Sequence, residues 1–326
     1  MAGRKVLVTG CAGFIGSHLV DRLLQRGDMV VGVDNFDPYY SPRLKRSFLE
    51  GALRSPNFTM VEGDILEEAL MERTFSEQRP EVVVHLAAKA GVRESIENPG
   101  LYSRVNVEGT ALLLRLSVKH GAKKFVFAST SAVYGARDSI PFREDDPCET
   151  PASPYGATKR GAEVLCYTFH HLYQIPVVVL RFFTVYGPRQ RPDMAIHKFT
   201  RQILRGQPVT MYGDGTSARD YTYIDDIIEG VLAAIDRDLG GFVVINLGDS
   251  RPVRLRDLIA TIEEALGMRA EVRRLPDQPG DVPITCASID RARELLSYEP
   301  KVSLEEGVRR FVKWYFENKE LLDAET

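Results

Sequence analysis

An α/β fold, with a parallel sheet covered by helices on both faces, is predicted by two observations. Short β-branched runs that are apolar at consecutive positions recur along the first half of the chain, and segments of helical length separate them. Strands buried on both faces read as continuous apolar runs, and regular alternation with helices selects the parallel arrangement. The strand segments are "KVLVTG" (5–10), "MVVGVD" (29–34), "FTMVEGD" (58–64), "EVVVHLAA" (81–88), "KKFVFAS" (123–129) and "IPVVVLRFF" (175–183). Helices are expected over 13–27, 66–78, 100–119 and 155–173. After residue 186 the rhythm changes, and Gly and Pro punctuate "GPRQRPDM", "RGQPVTMYGDGT" and "PDQPGDVP". A smaller C-terminal domain over 187–326 is expected there, with 222–248, around "INLGDS", returning to the first sheet.

Composition narrows the function. A chain of 326 residues has ample length for a sizeable core, and a net charge of −3 gives no reason to expect nucleic acid or an anionic membrane as partner. The opening "MAGRKVLVTG" enters a strand at once, and "IPVVVL" (175–180) is too short to span a bilayer. Cys11, Cys148, Cys166 and Cys286 are scattered, as ordinary thiols of a reducing compartment are. A cytoplasmic protein without a membrane partner is expected. His170 and His171 have no third ligand near them in sequence, so no metal is expected.

"VTGCAGFIG" places Gly10, Gly13 and Gly16 between the first strand and the first helix. Small residues there let backbone amides approach a pyrophosphate at a helix N-terminus, the arrangement of a Rossmann-type doubly wound domain. The bare motif also fits a plain strand-to-helix turn. Asp34 adds to it, ending the second strand 18 residues past Gly16. A carboxylate at that point accepts hydrogen bonds from an adenosine ribose and repels a 2′-phosphate, and Asn35-Phe36 supplies no arginine to reverse this. NAD is therefore expected over NADP. Asp64 and Ile65 in "GDI" end the third strand within reach of an adenine.

"SPYGATK" sets Tyr155 and Lys159 four apart near a helix start, hence on one face. A phenol titrating near ~10 is a poor base at neutral pH unless cations favour its phenolate, as an adjacent ammonium and a nicotinamide cation would. Such a pair suits proton transfer beside a hydride acceptor. Thr130, in "FASTSAVYG" just past the fifth strand, offers a hydroxyl to hold the substrate oxygen.

"VTGCAGFIGSHL", Asp34, "HLAAKAGV", "STSAVYG", "YGATK" and "RDYTYIDD" follow one another in an order and spacing that resembles the extended short-chain dehydrogenase/reductase family over nearly the whole chain. Within it the chain looks like the nucleotide-sugar 4-epimerases. The resemblance implies tightly held NAD, a UDP- or dTDP-sugar between two domains, and Thr130, Tyr155 and Lys159 as the catalytic set. The cofactor residues it implies are Gly10, Gly13, Phe14, Ile15, Gly16, Asp34, Asn35, Asp64, Ile65, Leu86, Ala87, Ala88 and Lys89, with Tyr155 and Lys159. It also implies a homodimer formed through helices 100–119 and 155–173.

Relatives that dehydrate or decarboxylate carry an acidic residue just after the catalytic hydroxyl, whereas this chain reads Thr130-Ser131-Ala132. Epimerisation at C4 needs no such carboxylate. "RFFTVYGPRQRPDM", with Thr184 where many neutral-sugar epimerases have Asn, is similar to the signature of UDP-glucuronate 4-epimerases. A C5 carboxylate calls for a guanidinium and a hydroxyl, which Arg191 and Thr184 supply. The remaining substrate set is Ser131, Met194, the weaker arginine candidates Arg189 and Arg93, Arg219 for the diphosphate, Met211 and Tyr212 for the uracil, and Asp281 for the ribose. Gln278 stands where many relatives have Arg, one phosphate cation fewer. UDP-glucose or UDP-N-acetylglucosamine epimerisation, UDP-glucuronate decarboxylation and a non-catalytic dinucleotide sensor remain as competing readings.

Overall fold

The computed structural model describes residues 3–137, 139–276 and 282–324. Seven strands form one sheet: β1 (Lys5–Thr9), β2 (Met29–Asp34), β3 (Phe58–Glu62), β4 (Val82–His85), β5 (Lys124–Thr130), β6 (Val177–Phe182) and, from far along the chain, Phe242–Leu247. Their order is Phe242–Leu247, β6, β5, β4, β1, β2, β3, and every neighbouring pair is parallel. The chain reverses direction across the sheet between β1 and β4, so the crevice at their carboxyl ends is where a doubly wound sheet binds its ligand.

The inner strands β1, β4, β5 and β6 are buried on both sides, and alternate residues enter different cores. Val6 and Val8 of β1 and Val126 and Ala128 of β5 join one cluster; Leu7, Phe125 and Phe127 join the other. Helix α1 (Phe14–Gln25) covers the first face through Leu19, Val20 and Leu23. Two short helices follow, α2 (Pro42–Phe48) after β2 and, beyond β3, the longer α3 (Glu68–Gln78), which puts Met71 and Phe75 into the second core. The expected helix over 100–119 is three pieces after α4 (Val92–Glu97): α5 (Pro99–Ser103), a π-turn at Arg104–Glu108 and α6 (Gly109–Lys119). Leu113, Leu114 and Leu116 of α6 are fully buried in the second core, against which Leu112 packs partly buried. Beside them runs α7 (Pro154–Tyr173), started by Ser153, whose side chain accepts from the Gly156 amide, and by Pro154 in the first turn.

Beyond β6 the chain builds smaller units. β7 (Thr184–Tyr186) is followed by α8 (Ala195–Leu204), β8 (Val209–Tyr212), β9 (Ala218–Tyr223) and α9 (Ile224–Asp236). The seventh sheet strand, Phe242–Leu247, is β10; after it come β11 (Pro252–Arg254), α10 (Leu255–Leu266) and β12 (Val272–Leu275). The chain then forms α11 (Asp290–Leu296), α12 (Leu304–Glu317) and α13 (Lys319–Ala324). β9 pairs with β7 and β11, and β8 with β12. Helix α9 turns back onto the first core through Ile227, Ile228 and Val231. Among the described residues no helix is long and apolar enough to cross a membrane.

Candidate active site

The glycine turn is shaped for close approach. Gly10 has φ +71°, and a Cβ there would lie 2.8 Å from the Ala87 amide nitrogen. A Cβ on Gly16 would lie 2.0 Å from the Gly10 carbonyl oxygen. Neither position accepts another residue without moving backbone. Gly13, in extended conformation, precedes Phe14 and Ile15 at the start of α1, with no side-chain cap and no acidic residue in the first turn. That uncapped N-terminus, with its helix dipole, suits a pyrophosphate. Asp34 closes the turn, its two carboxylate oxygens accepting from the Ala12 amide at 2.9 Å and the Phe36 amide at 2.8 Å. Each oxygen keeps a lone pair for a ribose hydroxyl, and burial raises the Asp34 pKa. These residues fit a dinucleotide.

Around the turn, Asn35 donates to Asp64 at 2.8 Å across the ends of β2 and β3, while the Ile65 side chain is buried under α6. The Leu86 and Ala87 amides bond to Thr9, and past Ala88 the Lys89 amide donates to Asn106 at 2.8 Å. Asn106 also donates to the Lys89 carbonyl and to Thr158 on α7, so this buried amide in the π-turn ties the loop after β4 to α7. The Lys89 ammonium pairs with Asp37 at 2.7 Å. His85 lies beneath, between Thr9 and Thr110. Thr110 gives its proton to the Asn106 carbonyl and so accepts from Nε2, which makes His85 neutral with the proton on Nε2. Burial holds its pKa well below the usual value.

Thr130 ends β5 and Tyr155 lies in the first turn of α7, the helix that packs beside that strand, and Tyr102 packs edge-on against the Tyr155 ring at 6.2 Å. Burial raises the Tyr155 pKa, with the Thr130 hydroxyl and then the Arg191 guanidinium pulling it down. Arg191, distant in sequence, is thus a second cation near the phenol, besides the Lys159 that the spacing suggests. Lys159 is 2% exposed, its ammonium sits 4.2 Å from the Phe127 ring centroid, and burial pushes its pKa down to about 8. Ser131 opens the short 3₁₀ turn after Thr130.

The arginines of "GPRQRPDM" diverge. Arg189, at φ +63°, pairs with Asp21 of α1 at 2.8 Å, away from the phenol. Arg191 turns to the crevice: Nε and Nη2 donate to the two Asp193 oxygens at 3.0 and 2.7 Å, Nη1 donates to the Ala90 carbonyl at 3.3 Å, and the Tyr39 ring lies 5.0 Å away. Tyr39 also donates to Asp193 at 3.3 Å. Two of the five guanidinium N–H groups are not used by these bonds. Met194 ends this loop at the N-cap of α8.

Thr184 stands on β7, paired in register with Tyr221. Arg93 of α4 lies over the Tyr212 ring at 4.8 Å, joining the cofactor side to β8, on which Met211 is buried. Arg219, on β9, donates to the Ala218 carbonyl. Gln278 and Asp281 lie outside the described residues. Asp193, Tyr39 and Asn106 touch this site yet were not singled out from sequence. Asp193 alone had a local signal, an opposite charge two residues from Arg191. No group of three or more potential metal-ligating side chains occurs among the described residues.

Known proteins resemble the chain over nearly its full length. A UDP-glucuronate 4-epimerase of Thermodesulfobacterium geofontis is 45% identical over 98% of both chains. A crystal structure of UDP-glucuronic acid 4-epimerase from Bacillus cereus, in complex with UDP-glucuronic acid and NAD, is 40% identical, covers 96% of this chain and 99% of its own, and superposes with a TM-score of 0.91. The UDP-glucose 4-epimerase of Thermotoga maritima with UDP-glucose is 37% identical over 97% of this chain and 99% of its own, with a TM-score of 0.88. The sequence model of the family described as GDP-mannose 4,6 dehydratase matches residues 7–311. The chain belongs to that family of extended short-chain dehydrogenase/reductases.

Proposed function

We propose that this protein is an NAD-dependent isomerase that interconverts UDP-glucuronate and UDP-galacturonate by epimerisation at C4. The observation that carries the reading is the Arg191 guanidinium, held by Asp193 and by the Ala90 carbonyl of the loop after β4 with two N–H groups not used by these bonds. The 40% identical Bacillus cereus enzyme, whose crystals hold UDP-glucuronic acid and NAD, supports it.

NAD, when bound, supplies a reversible acceptor for the C4 hydrogen and its electron pair. The Tyr155 phenolate takes the O4 proton and later returns it, and the Thr130 hydroxyl donates to O4 so that the oxygen keeps its place. The buried Lys159 ammonium favours the phenolate once the cofactor completes the site. The 4-keto sugar turns over and is reduced from its other face, so net redox is zero and the cofactor stays resident. That ketone is β to the C5 carboxylate and loses carbon dioxide if the carboxyl bond aligns with the carbonyl π system. Arg191 and Thr184, gripping the carboxylate, keep it out of alignment. Thr130-Ser131-Ala132 offers no carboxylate for dehydration.

The dinucleotide unit comprises 1–186 with 222–248, and the sugar-nucleotide unit the rest of 187–326. Arg219 holds the diphosphate, Met211 and Tyr212 the uracil, and Asp281 the ribose. The subunits form a homodimer through the helical segments 100–119 and 155–173, where Leu101, Val164 and Tyr167 expose large apolar side chains. The protein works in the cytoplasm, which suits four free buried cysteines. A second reading, a neutral UDP-hexose epimerase, has the 37% identical Thermotoga enzyme in its favour. Purified protein incubated with UDP-glucuronate and no added NAD should yield UDP-galacturonate. Conversion of UDP-glucose alone would install the second reading, and release of carbon dioxide would make it a decarboxylase.

A further inference from the structure

One turn beyond Lys159, α7 buries a carboxylate for which the proposed chemistry has no direct use. Glu163 is fully buried and receives four donors. Its Oε1 accepts from the Ser129 hydroxyl at 2.5 Å and Arg181 Nε at 2.9 Å, and its Oε2 from Arg181 Nη2 at 2.8 Å and Arg160 Nη1 at 3.0 Å. Ser129 immediately precedes Thr130, and Ser129 and Arg181 are register partners across β5 and β6. A single carboxylate therefore grips the helix that carries Tyr155 and Lys159, the strand end that carries Thr130, and the next strand.

The grip continues toward the far edge of the sheet. Arg181 lies over the Tyr134 ring at 4.7 Å and donates to the Glu144 carbonyl, while the Glu144 side chain takes the Asn246 amide of β10 at 2.8 Å. Tyr134 donates to the Asn246 side chain at 2.7 Å. Replacing a buried ion pair by apolar groups is often neutral or stabilising, so stability alone is a weak reason for this cluster. Orientation is a better one, because hydroxyls displaced by an ångström lose much of their catalytic effect.

We propose that Glu163 is a positioning residue that, through Ser129 and Arg181, fixes α7 against the end of β5 and so sets the Thr130 and Tyr155 hydroxyls on one substrate oxygen. The proposal rests on the epimerase reading and deepens it. Burial and the bonds from Arg181 act against each other on Glu163, and the bonds win, so it remains a carboxylate. Its negative charge also favours the ammonium of Lys159.

The test uses the holoenzyme with three variants. Ser129→Ala deletes one hydroxyl, should fold normally, and should lower kcat about 3- to 10-fold with the KM for UDP-glucuronate little changed. Glu163→Gln should lower kcat about 10- to 100-fold and lower the Tm as well, because Arg181 is left buried without its counter-charge. The double variant Glu163→Gln/Arg181→Met removes both charges, so its Tm should recover while its kcat stays low. Hydrogen exchange supplies a readout independent of turnover: peptides covering 124–134 and 153–163 should exchange faster in Ser129→Ala. Wild-type kcat and exchange in Ser129→Ala, or a kcat that recovers with Tm in the double variant, would overturn the proposal. A wild type inert on UDP-sugars would instead remove the epimerase reading, leaving the exchange measurement to judge the grip.

Discussion

The Lys159 ammonium lies 4.2 Å from the centre of the Phe127 ring, inside the sheet-facing side of α7. Ring contact favours the cation, but burial outweighs it, and the pKa falls to about 8 from an ordinary 10.5. Activity that needs the ammonium should decline as pH rises through that region, giving kcat/KM an alkaline limb with a midpoint near 8. For stability the sign is opposite. Between about 8 and 10.5 the unfolded chain binds more protons at this site than the folded one, so this contribution improves with rising pH. A pH–rate profile flat to pH 10 would remove Lys159 from its assigned role.

Tyr155→Phe keeps the ring and its edge contact with Tyr102 but deletes the proton carrier. Turnover of UDP-glucuronate should drop about 10²–10⁴-fold, with Tm and bound NAD unchanged. A variant that keeps more than about a tenth of the wild-type rate would mean that another group moves the O4 proton.

Asp34 has two tasks, so its substitution should have two consequences. Its carboxylate ties the Ala12 and Phe36 amides together, and the proposed second task is to accept from the adenosine ribose. Asp34→Ala should release NAD during purification and narrow the preference for NAD over NADP, because the charge that repels a 2′-phosphate is gone. It should also lower the Tm, since two amides lose a charged acceptor. Asp34→Asn should hold the turn better and bind NAD more tightly than the Ala variant. Equal NAD affinity in the wild type and the Ala variant, by titration, would leave Asp34 with the structural task alone.

What sequence disclosed and what it hid divide by the range of the interactions. β2 was legible to the residue, because "MVVGVD" is an unbroken apolar run closed by a turn. Gly10 and Gly16 were legible because backbone crowding leaves no alternative to glycine. Asn106 was hidden inside a segment that reads as one continuous helix, since a π-turn has no distinctive local pattern. The Glu163–Arg181 pair joins a helix to a strand 18 residues away, and an Arg in an apolar run reads as a strand end until its partner is seen. The Tyr155–Lys159 spacing is a local signal, whereas Arg191, whose charge also reaches the phenol, is distant in sequence and leaves no such signal beside Tyr155.

Arg191 itself offers the sharpest choice between sugars. Asp193 occupies the Nε–Nη2 edge and Ala90 takes one Nη1 proton, so a sugar carboxylate would bind the two remaining N–H groups of a guanidinium already held in orientation. Arg191→Leu should then impair UDP-glucuronate and spare plain UDP. A hydrogen bond to a charged group contributes about 1.5–3 kcal/mol, which corresponds to roughly 10–150-fold in kcat/KM. UDP-glucose lacks the carboxylate, so any activity on it should fall far less or rise. A trace of UDP-pentose should appear from the acid, because a loosened carboxylate can rotate into alignment with the C4 ketone. Asp193→Ala should give a milder loss, about 3- to 10-fold on UDP-glucuronate, by freeing the guanidinium to turn away from its set direction. If Arg191 served the diphosphate, all three ligands would weaken together in Arg191→Leu. Equal losses on UDP-glucuronate, UDP-glucose and UDP would therefore assign the arginine to the nucleotide and leave the C5 carboxylate to Thr184 and its neighbours.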